Sequence, residues 1–360
     1  MMSVRKGRAS VSIVEPNSGS AILVTGGCGF IGLNLMPFLA QRYRLVRVLD
    51  DLSAGDAEAL KRRWDTFEGP AKLDFTQGDV RDRPLVEKCV RGVEAIVHLA
   101  AQSGVVSSIK DPDHDYSVNV LGTFNVLEAA RRAGVQNVVF ASSSAAMGEK
   151  EPPVTEEGSP HPLSPYGASK LAAEGYCSAY NGSFGINTVA LRFANVYGPH
   201  STHKTSVVAT FLSQALESIP ITIYGDGSQT RDFIFVEDLC RAIMLALDAN
   251  VQSGTYNIGT GTMASVNELI TTLENVLGRD LEREHLPVRR GEVEHVYLNI
   301  DKARKLLGFD PKFSLEEGLK RTYAWFQATA AGQKSGERVP RSTTPHAARM
   351  SNNPASPERL

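Results

Sequence analysis

The chain has 360 residues, 42% hydrophobic and 22% charged, with 38 Lys and Arg against 40 Asp and Glu. That composition excludes a wholly disordered or fibrous protein, and a formal charge of −2 excludes binding to nucleic acid or an anionic membrane by bulk electrostatics. Cys28, Cys89, Cys177 and Cys240 are too scattered for a zinc site or a disulfide framework, and they read as core thiols.

Residues 1–19 are polar and aperiodic and read as a flexible N-terminus. Their basic residues precede no apolar stretch of the kind a secretory leader needs, and no run in the chain approaches the ~18–20 apolar residues that span a bilayer. A reducing cytoplasm is the expected address, with no membrane partner. The first strand, 21–24, runs into T-G-G-C-G-F-I-G at 25–32 and then a helical stretch, Leu33–Ala40. Gly26, Gly29 and Gly32 suit a tight turn that brings backbone close to a pyrophosphate at a helix N-terminus. The second strand, 45–49, ends in Asp50-Asp51, and Asp50 follows Gly26 by 24 residues. That is close to the ~20 residues expected before a ribose-binding carboxylate. Such a carboxylate repels a 2′-phosphate, and no Arg or Lys follows until Lys61, so NAD is expected rather than NADP.

A third strand at Leu73–Thr76 precedes Gly78-Asp79-Val80, which places Asp79 near an adenine. The fourth, 95–99, ends in His98-Leu99-Ala100-Ala101. The small residues let the chain pass close to a nicotinamide, and His98, at the end of an apolar strand, reads as structural. A helix over 116–133, a strand at 137–141 ending in Ala141-Ser142-Ser143-Ser144, a helix over 165–181 and a strand at 188–192 follow. This alternation predicts an α/β, Rossmann-type, doubly wound parallel sheet over 20–195. Beyond it the rhythm loosens. Loops occupy 197–207 and 224–231, helices return at 236–248, 265–277 and 314–327, and residues 196–330 read as a smaller substrate-binding region partly interleaved with the first. From Ala331 the chain is rich in Ser, Pro, Arg and Asn, and 331–360 is expected to be a disordered tail.

Ser164-Pro165-Tyr166-Gly-Ala-Ser-Lys170 carries the chemistry. Ser164 suits a helix N-cap and Pro165 the first helical position, so Tyr166 and Lys170 share a face at i and i+4. An ammonium beside a phenol lowers its pKa from ~10, and a poised phenolate can take a proton from an alcohol as a nicotinamide takes the hydride. A hydroxyl from the preceding strand end can hold the substrate oxygen beside Tyr166.

The ordered set T-G-G-C-G-F-I-G, H-L-A-A-Q, N-V-L-G-T, S-S-S-A-A-M-G, S-P-Y-G-A-S-K, R-F-A-N-V-Y-G-P, G-D-G-S-Q-T-R-D-F-I-F-V-E-D and L-E-E-G-L resembles the extended short-chain dehydrogenases, the nucleotide-sugar epimerase/dehydratase family, over about residues 20–325. The resemblance implies catalytic roles for Ser143, Tyr166 and Lys170. It implies an NAD site formed by Gly26, Gly29, Phe30, Ile31, Asp50, Asp51, Ser53, Asp79, Val80, Leu99, Ala100, Ala101, Asn119, Tyr166 and Lys170. It implies a UDP-sugar site formed by Ser142, Ser143, Ser144, Tyr166, Asn195, Val208, Tyr224, Arg231, Arg289 and Glu292. In that site Asn195 contacts the diphosphate, and Arg231 and Arg289 hold the diphosphate and the ribose. It also implies a homodimer through helices near 105–130 and 165–180. No metal is expected.

Departures from the family pattern bear on the reaction. Dehydratases of the family carry Asp-Glu just after the catalytic hydroxyl residue, and decarboxylases a Glu at the second position. This chain has Ser144-Ala145, which leaves C4 epimerisation through a transient 4-keto sugar as the expected reaction. A dehydratase, a decarboxylase and a non-catalytic NAD-binding sensor are the alternatives. Met147 replaces the usual Tyr before Gly148. Val296 stands where some UDP-galactose epimerases carry a Tyr, which favours room for an N-acetyl group. Ser142, Ser144 and the loop Ser201-Thr202-His203-Lys204 offer donors to a C6 carboxylate. UDP-glucose/galactose is the first expectation, with UDP-glucuronate/galacturonate and UDP-GlcNAc/GalNAc close behind.

Overall fold

The computed structural model describes residues 20–202, 206–248, 250–288 and 294–334. Its strands are β1 Ala21–Thr25, β2 Leu45–Asp50, β3 Lys72–Gln77, β4 Ala95–His98, β5 Asn137–Ser143, β6 Asn187–Phe193, β7 Asn195–Tyr197, β8 Ile221–Tyr224, β9 Thr230–Arg231, β10 Phe233–Phe235, β11 Gly254–Ile258, β12 Ala264–Ser265 and β13 Arg283–Leu286. Its helices are α1 Phe30–Arg42, α2 Ala57–Asp65, α3 Arg83–Val90, α4 Val105–Lys110, α5 Pro112–Tyr116, α6 Gly122–Ala133, α7 Pro165–Phe184, α8 Val207–Glu217, α9 Val236–Ala246, α10 Val266–Leu277, α11 Asp301–Leu307 and α12 Leu315–Lys334.

Seven strands form one parallel sheet in the order β11-β6-β5-β4-β1-β2-β3. Alternation along each strand divides the core between its faces. Ile22, Val24, Val97, Val139 and Leu191 pack on one side, and Leu23, Ile96, Val138, Phe140 and Ala190 on the other. A strand buried on both faces must be apolar at successive positions, which is why A-I-L-V and A-I-V-H read so clearly as strands. The chain leaves β1 for β2 and β3, then returns to β4 on the other flank of β1. That reversal opens a crevice at the C-terminal ends of β1 and β4, where open α/β sheets bind their ligands.

The C-terminal region is woven into this body. β11 extends the large sheet beside β6, and α9 packs against α1. Three two-stranded pairs, β7–β10, β8–β13 and β9–β12, lie outside the large sheet. The helix expected over 116–133 is broken into α5, a π-helical turn at Ser117–Leu121 and α6. α12 runs on through Lys334, past the point where the tail was expected to begin. The expected flexible N-terminus at 1–19 and residues 335–360 lie outside the described residues.

Candidate active site

The turn after β1 is built on Gly26, at φ +72°. A Cβ there would stand 2.6 Å from the backbone nitrogen of Ala100, so only glycine lets the β1 and β4 ends meet. Gly29 then begins α1. Its side is bare: no side chain caps the helix, no acidic residue occupies the first turn, and Gly29, Phe30 and Ile31 line the cleft. Uncapped N–H groups at the positive end of a helix suit a pyrophosphate.

Asp50 closes the adjoining wall. Its carboxylate accepts from the backbone N–H of Cys28 (2.9 Å) and of Leu52 (2.9 Å), so it braces the glycine turn as well as facing the cleft. Each oxygen keeps a second lone pair for a ribose hydroxyl. Burial raises its pKa, and the two backbone hydrogen bonds act against that rise. Asp51 and Ser53 are beside it, joined through Asp51 Oδ1 and the Ser53 hydroxyl at 2.6 Å. Asp79 lines the cleft too, but Arg81 pairs with it at 2.6 Å and holds its carboxyl below the ordinary range. Val80, Leu99, Ala100 and Ala101 complete the expected lining; Gln102, Ser103, His114, Val118 and Phe193 join it without having been anticipated. The bare helix end, the glycine contact that a Cβ would obstruct and the carboxylate at the end of β2 together fit NAD.

His98 is buried and structural, as its strand context implied. Its Nδ1 is 2.6 Å from the Thr25 hydroxyl and its Nε2 is 3.0 Å from the Thr123 hydroxyl. The ends of this chain fix its direction. Ala100 N–H donates to Thr25 (3.3 Å), and Thr123 donates to the Asn119 carbonyl (2.6 Å). Thr25 therefore donates to Nδ1, and the proton of the neutral ring sits on Nε2. Burial, with the Lys170 charge adding, pushes the imidazole down to about 3.

Asn119 does not line the cleft. It sits in the π-helical turn, accepts from Gln102 N–H (2.9 Å) and donates towards the Gln102 carbonyl (3.0 Å), so it fixes the cleft wall from behind.

Ser164 caps α7 through its hydroxyl, which accepts from Gly167 N–H at 3.1 Å, and Pro165 takes the first turn. This places Tyr166 and Lys170 in the cleft, with Ser143 from the end of β5 hydrogen-bonded to the Tyr166 phenol. The Lys170 ammonium donates to the Ala141 carbonyl (2.8 Å) and is 5.9 Å from the Tyr166 ring centre. Burial raises the Tyr166 pKa, the Ser143 hydrogen bond opposes the rise, and the Asp115 charge adds to it.

Ser142 lines the cleft, but its hydroxyl is 2.5 Å from Glu174, which is paired with Arg192 at 2.7 Å in a buried ion pair. Met147 lies beneath this pair, its sulfur 2.8 Å from Arg192 Nη1. Ser143 caps the short 3-10 turn Ser144–Ala146. The remaining substrate candidates stand apart from the cofactor cleft. Asn195 is exposed on β7, whereas Val208 is on the buried face of α8. Tyr224 ends β8 and accepts from Gln229 through its carbonyl (2.9 Å). Arg231, on β9, donates to the carbonyls of Thr230 (2.8 Å) and Glu294 (3.1 Å). Arg289, Glu292, His203 and Lys204 lie outside the described residues. Among the described residues no cluster of His, Cys, Asp or Glu is arranged to hold a metal, and no helix is long and apolar enough to cross a membrane. All four cysteines are free and buried.

The family model for the NAD dependent epimerase/dehydratase family matches residues 22–259. The chain is 37% identical over 310 residues to a UDP-glucose 4-epimerase of Mycolicibacterium smegmatis, covering 85% of this chain and 98% of that protein. A UDP-glucose 4-epimerase of Thermotoga maritima, solved with UDP-glucose, superposes with a TM-score of 0.80 at 36% identity, over 86% of this chain and 99% of that one. A UDP-glucuronic acid 4-epimerase variant of Bacillus cereus, solved with UDP-4-deoxy-4-fluoro-glucuronic acid and NAD, superposes with a TM-score of 0.79 at 32% identity, over 86% and 99% of the two chains.

Proposed function

Since this chain belongs to the NAD-dependent epimerase/dehydratase family, we propose that it is an isomerase that inverts C4 of a UDP-hexose of the glucose/galactose type. The observation that carries the reading is Tyr166 in the cleft expected to hold NAD, hydrogen-bonded by Ser143, with Lys170 one turn along the same helix. NAD, when bound, supplies the acceptor and donor of a hydride at C4. Ser143 holds the C4 oxygen, and Tyr166 takes its proton and returns it after the 4-keto sugar has turned over. Ser144-Ala145 provides no acid or base for elimination or decarboxylation.

Two commitments favour a neutral C6 over a carboxylate. The Ser142 hydroxyl is spent on Glu174, and the buried Ser201 hydroxyl donates to the Gly198 carbonyl (2.6 Å). Both had been candidate donors to a uronate. The neighbouring cation, Arg192, is already neutralised by Glu174. Proton NMR of the protein with UDP-glucose, UDP-N-acetylglucosamine and UDP-glucuronate in turn, without added NAD, tests the reading. The anomeric signal of UDP-galactose is the expected product; conversion of UDP-glucuronate alone would overturn the choice of sugar, and a 4-keto-6-deoxy or pentose product the choice of reaction.

A homodimer belongs to the same proposal. Val106, Ile109 and Tyr116 of α4 and α5 are 58, 61 and 62% exposed, and Tyr176 and Phe184 of α7 are also exposed. α4 and α5 both pack beside α7, so a second copy set on these helices would cover this apolar surface.

A further inference from the structure

Glu174 completes a ladder between the helix that carries Tyr166 and the end of β5. Tyr166, Lys170 and Glu174 stand at i, i+4 and i+8 on α7, so they form one stripe along it. Each meets one of the last three residues of β5. The Ser143 hydroxyl hydrogen-bonds the Tyr166 phenol, the Ala141 carbonyl accepts from the Lys170 ammonium at 2.8 Å, and the Ser142 hydroxyl donates to the Glu174 carboxylate at 2.5 Å. Ser142 is the last residue of β5 on the face of Val138 and Phe140, which share a core cluster with Ala173 and Cys177 of α7. The Ser142–Glu174 rung is built to hold. The two residues are 2 and 7% exposed. Arg192, the neighbour of Ser142 in the β5–β6 register, grips the same carboxylate through Nε (2.9 Å) and Nη2 (2.7 Å). Apolar packing is non-directional and leaves a helix free to slide along its axis, whereas a charge-assisted hydrogen bond fixes distance and angle.

We propose that Glu174, through Ser142 and Arg192, is a positioning residue that sets where α7 lies along β5 and so holds the Tyr166 phenol against Ser143. The inference rests on the epimerase reading for its use, though not for its test. Eight residues of helix put Glu174 about 12 Å along the axis from Tyr166, so it acts on the phenol through the helix and not by contact. Proton transfer needs its partners within hydrogen-bond reach, and a displacement of about 1 Å can cost 10²-fold in rate. A charge pair is thereby given a use in the core that an apolar pair of similar volume lacks: it can fill the space but offers Ser142 no acceptor.

The test reads the far end of the ladder. In NAD-loaded protein labelled with 13C at tyrosine Cζ, with the signal assigned from Tyr166→Phe, the phenol of Ser142→Ala should titrate roughly half a pH unit to one unit higher than in the wild type, because the Ser143 hydrogen bond that lowers its pKa is lost. Ser143→Ala should raise it by a similar amount, and adding Ser142→Ala to Ser143→Ala should raise it no further. Glu174→Met with Arg192→Met removes the rung while keeping the space filled, and should show the same rise as Ser142→Ala. With UDP-glucose, kcat of Ser142→Ala should fall about 10–10²-fold at unchanged KM and NAD content. An unchanged Tyr166 midpoint in either rung variant, even with a lower Tm, would reduce Glu174 to a stabilising residue and overturn the proposal. An equal effect of Ser142→Ala with and without the Ser143 hydroxyl would overturn it too. The phenol titration needs no sugar, so a failure of the epimerase reading and a failure of this one are separate results.

Discussion

Single side chains in this site work through what already holds them. In the proposed mechanism Tyr166, half-buried and engaged by Ser143, takes the proton, so Tyr166→Phe should lower turnover by about 10²–10⁴-fold while the purified protein keeps its NAD. Unchanged turnover by proton NMR would refute the role. Gly26→Ala forces a left-handed backbone on a residue with a Cβ and drives that Cβ into Ala100. The backbone strain alone is on the order of 1–3 kcal/mol. The expected result is a lower Tm and loss of co-purified NAD, read from the nucleotide released on denaturation. Local chemistry of this kind was legible in the sequence. Ser164, Pro165, Tyr166 and Lys170 are placed by helix geometry alone, and the glycines by a turn. The commitments of Ser142 and Ser201 were not, because they depend on Glu174, 32 residues away, and on a loop carbonyl. The partner of the Lys170 ammonium was hidden for a similar reason: i,i+4 spacing sets the face it shares with Tyr166, but the Ala141 carbonyl lies 29 residues away.

Elements are tied together by buried polar contacts. The Thr25–His98–Thr123 chain joins β1, β4 and α6 through a neutral imidazole. His98 has its pKa lowered from 6.5 to about 3 in the folded protein, so below about pH 6.5 the unfolded chain binds a proton that the folded chain refuses. Stability from this group is therefore whole above that pH and falls as the pH drops towards 3, by at most about 1.4 kcal/mol per unit. Urea denaturation between about pH 7 and 4 should show that component of the slope in the wild type and lose it in His98→Gln. A His98 imidazole titrating near 6.5 by NMR would contradict the buried relay. The Glu174–Arg192 pair links α7 to β6 in the same way. Glu174→Gln leaves a buried guanidinium unpaired and should cost about 3–5 kcal/mol by chemical denaturation. Replacing both residues by Met should recover much of that loss. At this scale the apolar strands β1, β2, β4, β5 and β6 could be read from sequence, whereas β11 could not. G-T-Y-N-I is polar enough to pass for a loop, and it is buried by pairing with β6. The π-helical turn was equally hidden, since residues 116–133 have helical character throughout and the irregular turn accompanies the tertiary bonds of Asn119.

For the whole molecule, the proposed dimer makes a measurable claim. Sedimentation or light scattering should give twice the chain mass for the wild type, and Ile109→Glu should shift the equilibrium to the monomer. A wild-type monomer at micromolar concentration would refute it. The interleaving of the two regions also bears on the order in which the protein can be made. When residue 195 has left the ribosome, β6 is an open edge and the face of α1 that α9 covers is bare. The sheet is finished only when Gly254–Ile258 emerges and docks. During that interval about sixty further residues must be synthesised with an unpaired parallel strand exposed, a surface that invites pairing with a neighbouring chain. The nascent protein is thus most in need of a chaperone late in translation, after β6 has been made and before the strand that covers its open edge arrives.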